Sequence, residues 1–115
     1  MIQSLERGMQ ALMFLSNRRT AGVTEVAEAL GVNKSTAFRI LETLMASNMA
    51  AQDKATAKYK LGPGILQLSE RLIKNLDIIA LAKPYMIRLT ERTGESSHLC
   101  MLSNDSAVVI EQIMA

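Results

Sequence analysis

An α+β fold is predicted by three patterns in this chain of 115 residues. Apolar residues recur at helical spacing through Leu5–Leu15, Val26–Leu30, Ala37–Leu44 and Ile65–Leu76. Beyond the third of these, after a first short strand candidate and a polar turn, comes Ala57-Lys58-Tyr59-Lys60-Leu61, which alternates wet and packing side chains as a short strand does. Near the end, two strand-like stretches flank the turn residues Asn104-Asp105. Together they predict a winged helix-turn-helix domain over residues 1–62, a further helix over 63–76, and one helix with a hairpin over 77–115, which bury too little to be a comfortable domain by themselves.

The first helix is expected to start at a Ser4 cap, carry Leu5, Met9, Leu12 and Leu15 inward, and end near Asn17. A basic loop, Arg18-Arg19-Thr20-Ala21-Gly22, leads to a short second helix capped by Thr24, with Val26, Ala27 and Leu30 inward. Gly31 supplies the positive φ of a tight helix-to-helix turn. The third helix runs from about Lys34 to Ser47 with Asn33 as its cap. At roughly 100° per residue, Ala37, Ile40, Leu41 and Leu44 share one arc, and Ser35, Thr36, Arg39 and Thr43 share the opposite one.

A short strand, Met49–Gln52, and the Asp53–Thr56 turn lead into Ala57–Leu61, giving a hairpin, the wing. Gly62-Pro63-Gly64 breaks the chain, and a helix from Ile65 to about Asn75 follows, with Ile65, Leu68, Leu72 and Leu76 on one stripe. A longer helix spans Asp77–Thr93; Pro84 either kinks it or restarts it, and Gly94 closes it. Strands at Ser97–Leu102 and Ala107–Ile113 then pair across Asn104-Asp105.

Composition narrows the chemistry. Hydrophobic residues make up 49%, enough for a packed core, while only 3% are aromatic, which argues against readers that stack single-stranded bases on rings. The net charge of +2 is small, but residues 1–64 hold eight basic and five acidic side chains, and residues 65–115 five and six. The positive excess therefore lies with the helix-turn-helix, where steering toward DNA needs it. The single Cys100 excludes an internal disulfide and fits a reducing, cytoplasmic setting. No apolar run approaches the roughly 20 residues of a membrane span, and the start of the chain, with Glu6, Arg7 and Gln10, does not read as a signal peptide.

His98 and Cys100 alternate on a strand and share a face, but with no second His or Cys the chain offers no metal site, and the pair lacks an oriented base for catalysis. Buried packing is their expected role. Gly62-Pro63-Gly64 lacks the lysine and helix entry of a phosphate loop. No cofactor and no enzymatic activity are expected.

Four stretches, SLERGMQALMFL (4–15), VTEVAEALGVNKSTAFRILETL (23–44), YKLG (59–62) and AKPYMIRLTERTGES (82–96), resemble the IclR family of bacterial transcriptional regulators in order and spacing. The resemblance implies a winged helix-turn-helix joined by a linker helix to an α/β effector-binding domain. It also implies a homodimer reading an inverted-repeat operator in double-stranded DNA. Lys34, Ser35, Thr36 and Arg39 match the family's KST-x-x-R recognition pattern. The chain departs from the family at Asn48-Met49-Ala50, where many members have Gly-Tyr-Val, and in ending at Ala115, before an effector domain is complete. A small-molecule effector is expected only if the chain is a fragment of a longer protein.

The expected DNA-contacting residues are Thr24, Asn33, Lys34, Ser35, Thr36, Arg39, Thr43, Lys54 and Lys58. Arg39 would donate bidentate bonds to a guanine edge; its ordinary alternative is a pairing with Glu42. Thr24, Asn33, Ser35 and Thr36 are also capping candidates, and Lys54 and Lys58 are also what protects an edge hairpin from aggregation. The function expected is that of a sequence-specific regulator, a repressor wherever its operator overlaps a promoter. The competing reading is a winged helix used as a protein-interaction module, or a truncated regulator that acts by heterodimerisation. An interaction surface should have an apolar centre on the Ser35, Thr36, Arg39, Thr43 face.

Overall fold

A computed structural model describes all residues, Met1–Ala115, and divides into two units, Met1–Leu68 and Ser69–Ala115. In chain order the elements are α1 (Gln3–Ser16), α2 (Val23–Leu30), α3 (Lys34–Ala46), β1 (Ala50–Gln52), β2 (Tyr59–Leu61), α4 (Gly64–Lys74), α5 (Asp77–Thr93), β3 (Ser97–Ser103) and β4 (Ser106–Ile113). The α+β fold is the one the sequence predicts.

The first unit packs α1, α2 and α3 around Ala11, Leu15, Ala21, Val26, Ala27, Ala37, Leu41, Ala50 and Tyr59. Five of these nine are alanines, three of them on the helices (Ala11, Ala27 and Ala37), and small side chains at a helix contact favour close packing. Leu15, Val26 and Leu41 are the largest fully buried side chains. Burial, with a smaller contribution from the Glu42 charge, raises the Tyr59 phenol above its usual 10, so it stays neutral across the physiological range.

Two expected caps are replaced. Ser4 lies inside α1, which starts after an extended Ile2 that makes no side-chain capping bond; this end of the helix is exposed, so its first N–H groups are open to solvent. Thr24 lies in the first turn of α2, whose N-cap is Gly22. The Glu25 carboxylate reaches back to accept from the Gly22 N–H at 3.1 Å, the third-position half of a capping box. The expected inward stripe of α1 also divides. Leu15 is buried, but Leu5 and Met9 are 62% and 53% exposed. Periodicity shows that a stripe exists without ranking it against a second, and Ala11, being small, takes the packed line.

The turn regions agree with expectation. Gly31 has φ 68°, and α2 ends with Gly31 N–H donating to Glu28 O (3.2 Å) and Val32 N–H to Ala27 O (3.0 Å). The end of α3 repeats these two bonds around Asn48, at φ 62°. There Asn48 N–H donates to Met45 O and Met49 N–H to Leu44 O, both at 2.9 Å. Asparagine thus stops the helix, because its short polar side chain tolerates the left-handed region.

β1 and β2 are antiparallel, pairing Ala50 with Leu61 and Gln52 with Tyr59. The sequence does not announce that Ala21 joins the other edge of β2, with Ala21 N–H donating to Tyr59 O (2.9 Å) and Tyr59 N–H to Ala21 O (2.7 Å). The next turn is tight. Gly62 N–H donates to Met49 O and Gly64 N–H to Asn48 O, each at 2.8 Å.

In the second unit, α5 is one helix through Pro84 and ends at Gly94, φ 71°. β3 and β4 form a hairpin whose two turn residues, Asn104 and Asp105, both have positive φ (47° and 63°), the twist-matched hairpin geometry. The register shifts between Leu99 and Cys100, the mark of a bulge. Ser97 is buried, its hydroxyl bonded to Thr90 Oγ1 (2.8 Å) and donating to Met86 O (3.1 Å). That bond fixes the parity of β3. Ser97 and the half-buried Leu99 face inward, so His98 and Cys100, expected to be packed, are exposed instead.

Candidate nucleic-acid interface

Asn33 organises the start of α3. It is extended (φ −76°, ψ 165°), and its Oδ1 accepts from Thr36 N–H at 2.8 Å and from the Ser35 hydroxyl at 2.8 Å. Replacing Asn33 with Ala should lower stability by about 1 kcal/mol, read from the midpoint of urea unfolding.

The outward face then presents its groups in different hydrogen-bonding states. The Ser35 proton is held by Asn33, and Thr43 donates its proton to Arg39 O at 2.9 Å. Both hydroxyls therefore offer lone pairs outward, suited to base amino groups. The Thr36 hydroxyl makes no bond within the protein, and its side chain is half-buried. Arg39 is exposed and forms no ion pair, so the alternative pairing with Glu42 is absent. Its guanidinium carries five uncommitted donors.

Lys34 is the first residue of α3, and no acid occupies that turn. A cation there opposes the helix dipole by roughly 0.3–1 kcal/mol. A local conflict of this kind is expected where a partner supplies the missing negative charge. α2 shows the opposite arrangement, with Glu25 in its first turn. Thr24 is exposed beside it.

On the wing, Lys54 and Lys58 are exposed and unpaired. The connecting loop is held by its own bonds, Asp53 N–H to Lys58 O (2.9 Å), Ala57 N–H to Asp53 O (2.7 Å) and Ala55 N–H to Asp53 Oδ1 (2.9 Å). Lys60, also exposed, shares the Lys58 face of the strand; the alternation around Tyr59 is the sequence signal for it. Arg18 is committed elsewhere, paired with Glu25 at 2.6 Å and stacked 4.8 Å over the Phe14 ring. The structure thus links Asn33, Ser35 and Thr36 by hydrogen bonds and sets Arg39 and Thr43 on the same helix face, while Thr24, Lys54 and Lys58 belong to separate elements. Phe38, which sequence reasoning passed over, is 48% exposed on α3.

Three helices around an alanine-rich centre, a capped and outward-facing third helix, and a hairpin directly after it define a winged helix-turn-helix protein. Residues 4–54 match the IclR helix-turn-helix domain and residues 70–115 the bacterial transcriptional regulator IclR C-terminal domain. The chain belongs to the IclR family.

Its relatives include the HTH-type transcriptional regulators XynR and KdgR of Escherichia coli K12. Each is 32% identical, over 97% of this chain and 45% and 43% of their own length. The transcriptional repressor AllR of Salmonella typhimurium is 31% identical over 96% of this chain and 41% of its own. The chain thus spans less than half the length of these relatives. Among solved structures, an IclR family regulator from Brucella abortus superposes with a TM-score of 0.85 at 27% identity, covering 99% of this chain and 44% of that one. HmgR of Pseudomonas aeruginosa gives 0.75 at 27% identity, covering 99% and 49%.

Proposed function

We propose that this chain is a sequence-specific DNA-binding transcriptional regulator that reads an inverted-repeat operator as a homodimer and represses by occupying it. The observation that carries the reading is the outward face of α3. Arg39 lies there without a carboxylate partner, beside Thr36 with an unengaged hydroxyl, and Lys34 stands unpaired at the start of the same helix. In this reading Thr36 and Arg39 reach base edges, while Thr24, Asn33, Lys34, Ser35, Thr43, Lys54 and Lys58 position the backbone or adjoining bases. Residues 1–62 are the DNA-binding domain, 63–76 the linker helix, and 77–115 the start of an effector-binding domain. A small-molecule effector belongs to the reading only where more of that domain is present. The cytoplasm, where the DNA lies, is its place of action.

Dimerisation is supported by the second stripe of α1, in which Leu5, Met9 and Met13 are all exposed and fall on one helical face. Repression is supported by the repressor named among the relatives. The α3 face is polar apart from Phe38, which weighs against the interaction-module reading.

Selection from a random pool of duplexes tests the proposal. The expected product is a palindromic consensus whose half-sites lie about 10 base pairs, or a multiple of that, apart. A pool that stays random would contradict it. On the selected duplex, Arg39→Ala should weaken binding about 5- to 150-fold, the value of one bidentate base contact.

A further inference from the structure

Phe38 is the one large apolar side chain exposed on α3. It does not belong to the residues packed around the core, which include its helix neighbours Ile40, Leu44 and Met45. Its side chain is almost half in water while Ala37 and Leu41 on the same helix are wholly enclosed, so packing of the first unit gives no reason for a phenylalanine here.

Its helix neighbours explain it better. Of its facing neighbours, Lys34 at i−4, Ser35 at i−3 and Glu42 at i+4 are exposed and only Leu41 at i+3 is buried, while the exposed Arg39 follows it about 100° round the helix. An aromatic ring set among such groups, on a helix that enters the major groove, meets one kind of apolar feature on base edges, the 5-methyl group of thymine.

We propose that Phe38 is a specificity-determining residue that reads a thymine methyl in the half-site. The inference rests on the DNA-reading function above and extends it to a base that hydrogen bonding does not specify. Residues 38 and 39 are displaced by about 1.5 Å along the helix axis, less than the spacing of successive base pairs. The thymine therefore lies within about two base pairs of the guanine that Arg39 contacts.

The test uses the duplex recovered by selection, with each thymine of one half-site replaced singly by deoxyuridine, which removes the methyl and leaves pairing intact. Binding by wild type, Phe38→Ala and Phe38→Leu is measured at one fixed salt concentration, after circular dichroism has shown the variants to be helical. One replacement should weaken wild-type binding about fourfold, the worth of burying a single methyl. The same replacement should leave Phe38→Ala unaffected and act in part on Phe38→Leu.

Wild type indifferent to every replacement would overturn the assignment. So would a Phe38→Ala variant that keeps the wild-type sensitivity, since another residue would then hold the methyl. Either result leaves the regulator reading intact, whereas failure of the selection to yield any consensus overturns both.

Discussion

Leu41→Ala should destabilise the first unit by about 2–5 kcal/mol. Leu41 is fully buried at the centre of α3, among side chains from α1, α2, β1 and β2. Its neighbours include five alanines, which have no rotamers with which to fill the space left behind. The loss should appear as faster amide hydrogen exchange in α1, α2 and α3, with little change in α5. Exchange read residue by residue keeps the two units separate, where a single melting curve would merge them. A loss below about 1 kcal/mol would mean that α3 does not pack through this face, and the outward assignment of Arg39 would fall with it.

Gly62→Ala should be the next most damaging change. A Cβ at this position would lie 2.5 Å from Asn48 O and 2.9 Å from Ala50 N, both backbone atoms. Gly64 meets the same Asn48 oxygen, again at 2.5 Å. The two glycines bring the chain against the C-terminal end of α3, where their N–H groups bond Met49 O and Asn48 O. No side chain can swing aside to relieve a clash with backbone, so the loss should reach about 1–3 kcal/mol or more. Gly8→Ala serves as the control, because nothing lies within 4 Å of a Cβ there and the residue sits inside α1. Alanine at that site should stabilise by roughly 0.5–1 kcal/mol. Amide exchange in α3 no faster in Gly62→Ala than in wild type would contradict the close approach.

Much of this architecture is legible in the sequence because local chemistry and tertiary structure agree. Gly31 and Asn33 mark the helix-turn-helix by conformational freedom and capping, and Asn104-Asp105 and Gly94 mark the hairpin turn and the end of α5 in the same way. The illegible parts depend on what lies across space. The Glu25 carboxylate displaces Thr24 from the capping role, and a single Ala21–Tyr59 bridge has no periodicity to betray it. His98 and Cys100 were assignable to one face, but only the Ser97 hydroxyl bonds decide which face is buried. In the candidate interface, the polar residues of α3 follow from a helical wheel. Phe38 does not, because an apolar residue beside a core arc reads as core until its exposure is known.

The central claim, that α3 reads bases through Arg39, is tested most directly by a double-mutant cycle. Wild type and Arg39→Ala would be titrated by fluorescence anisotropy against the selected duplex and against copies in which each guanine of a half-site is changed, with its partner, to an adenine–thymine pair. The account predicts one guanine whose replacement and Arg39→Ala are coupled by about 1–3 kcal/mol. Strictly additive losses at every guanine, with Arg39→Ala weakening all duplexes alike, would make Arg39 a phosphate contact and contradict the claim.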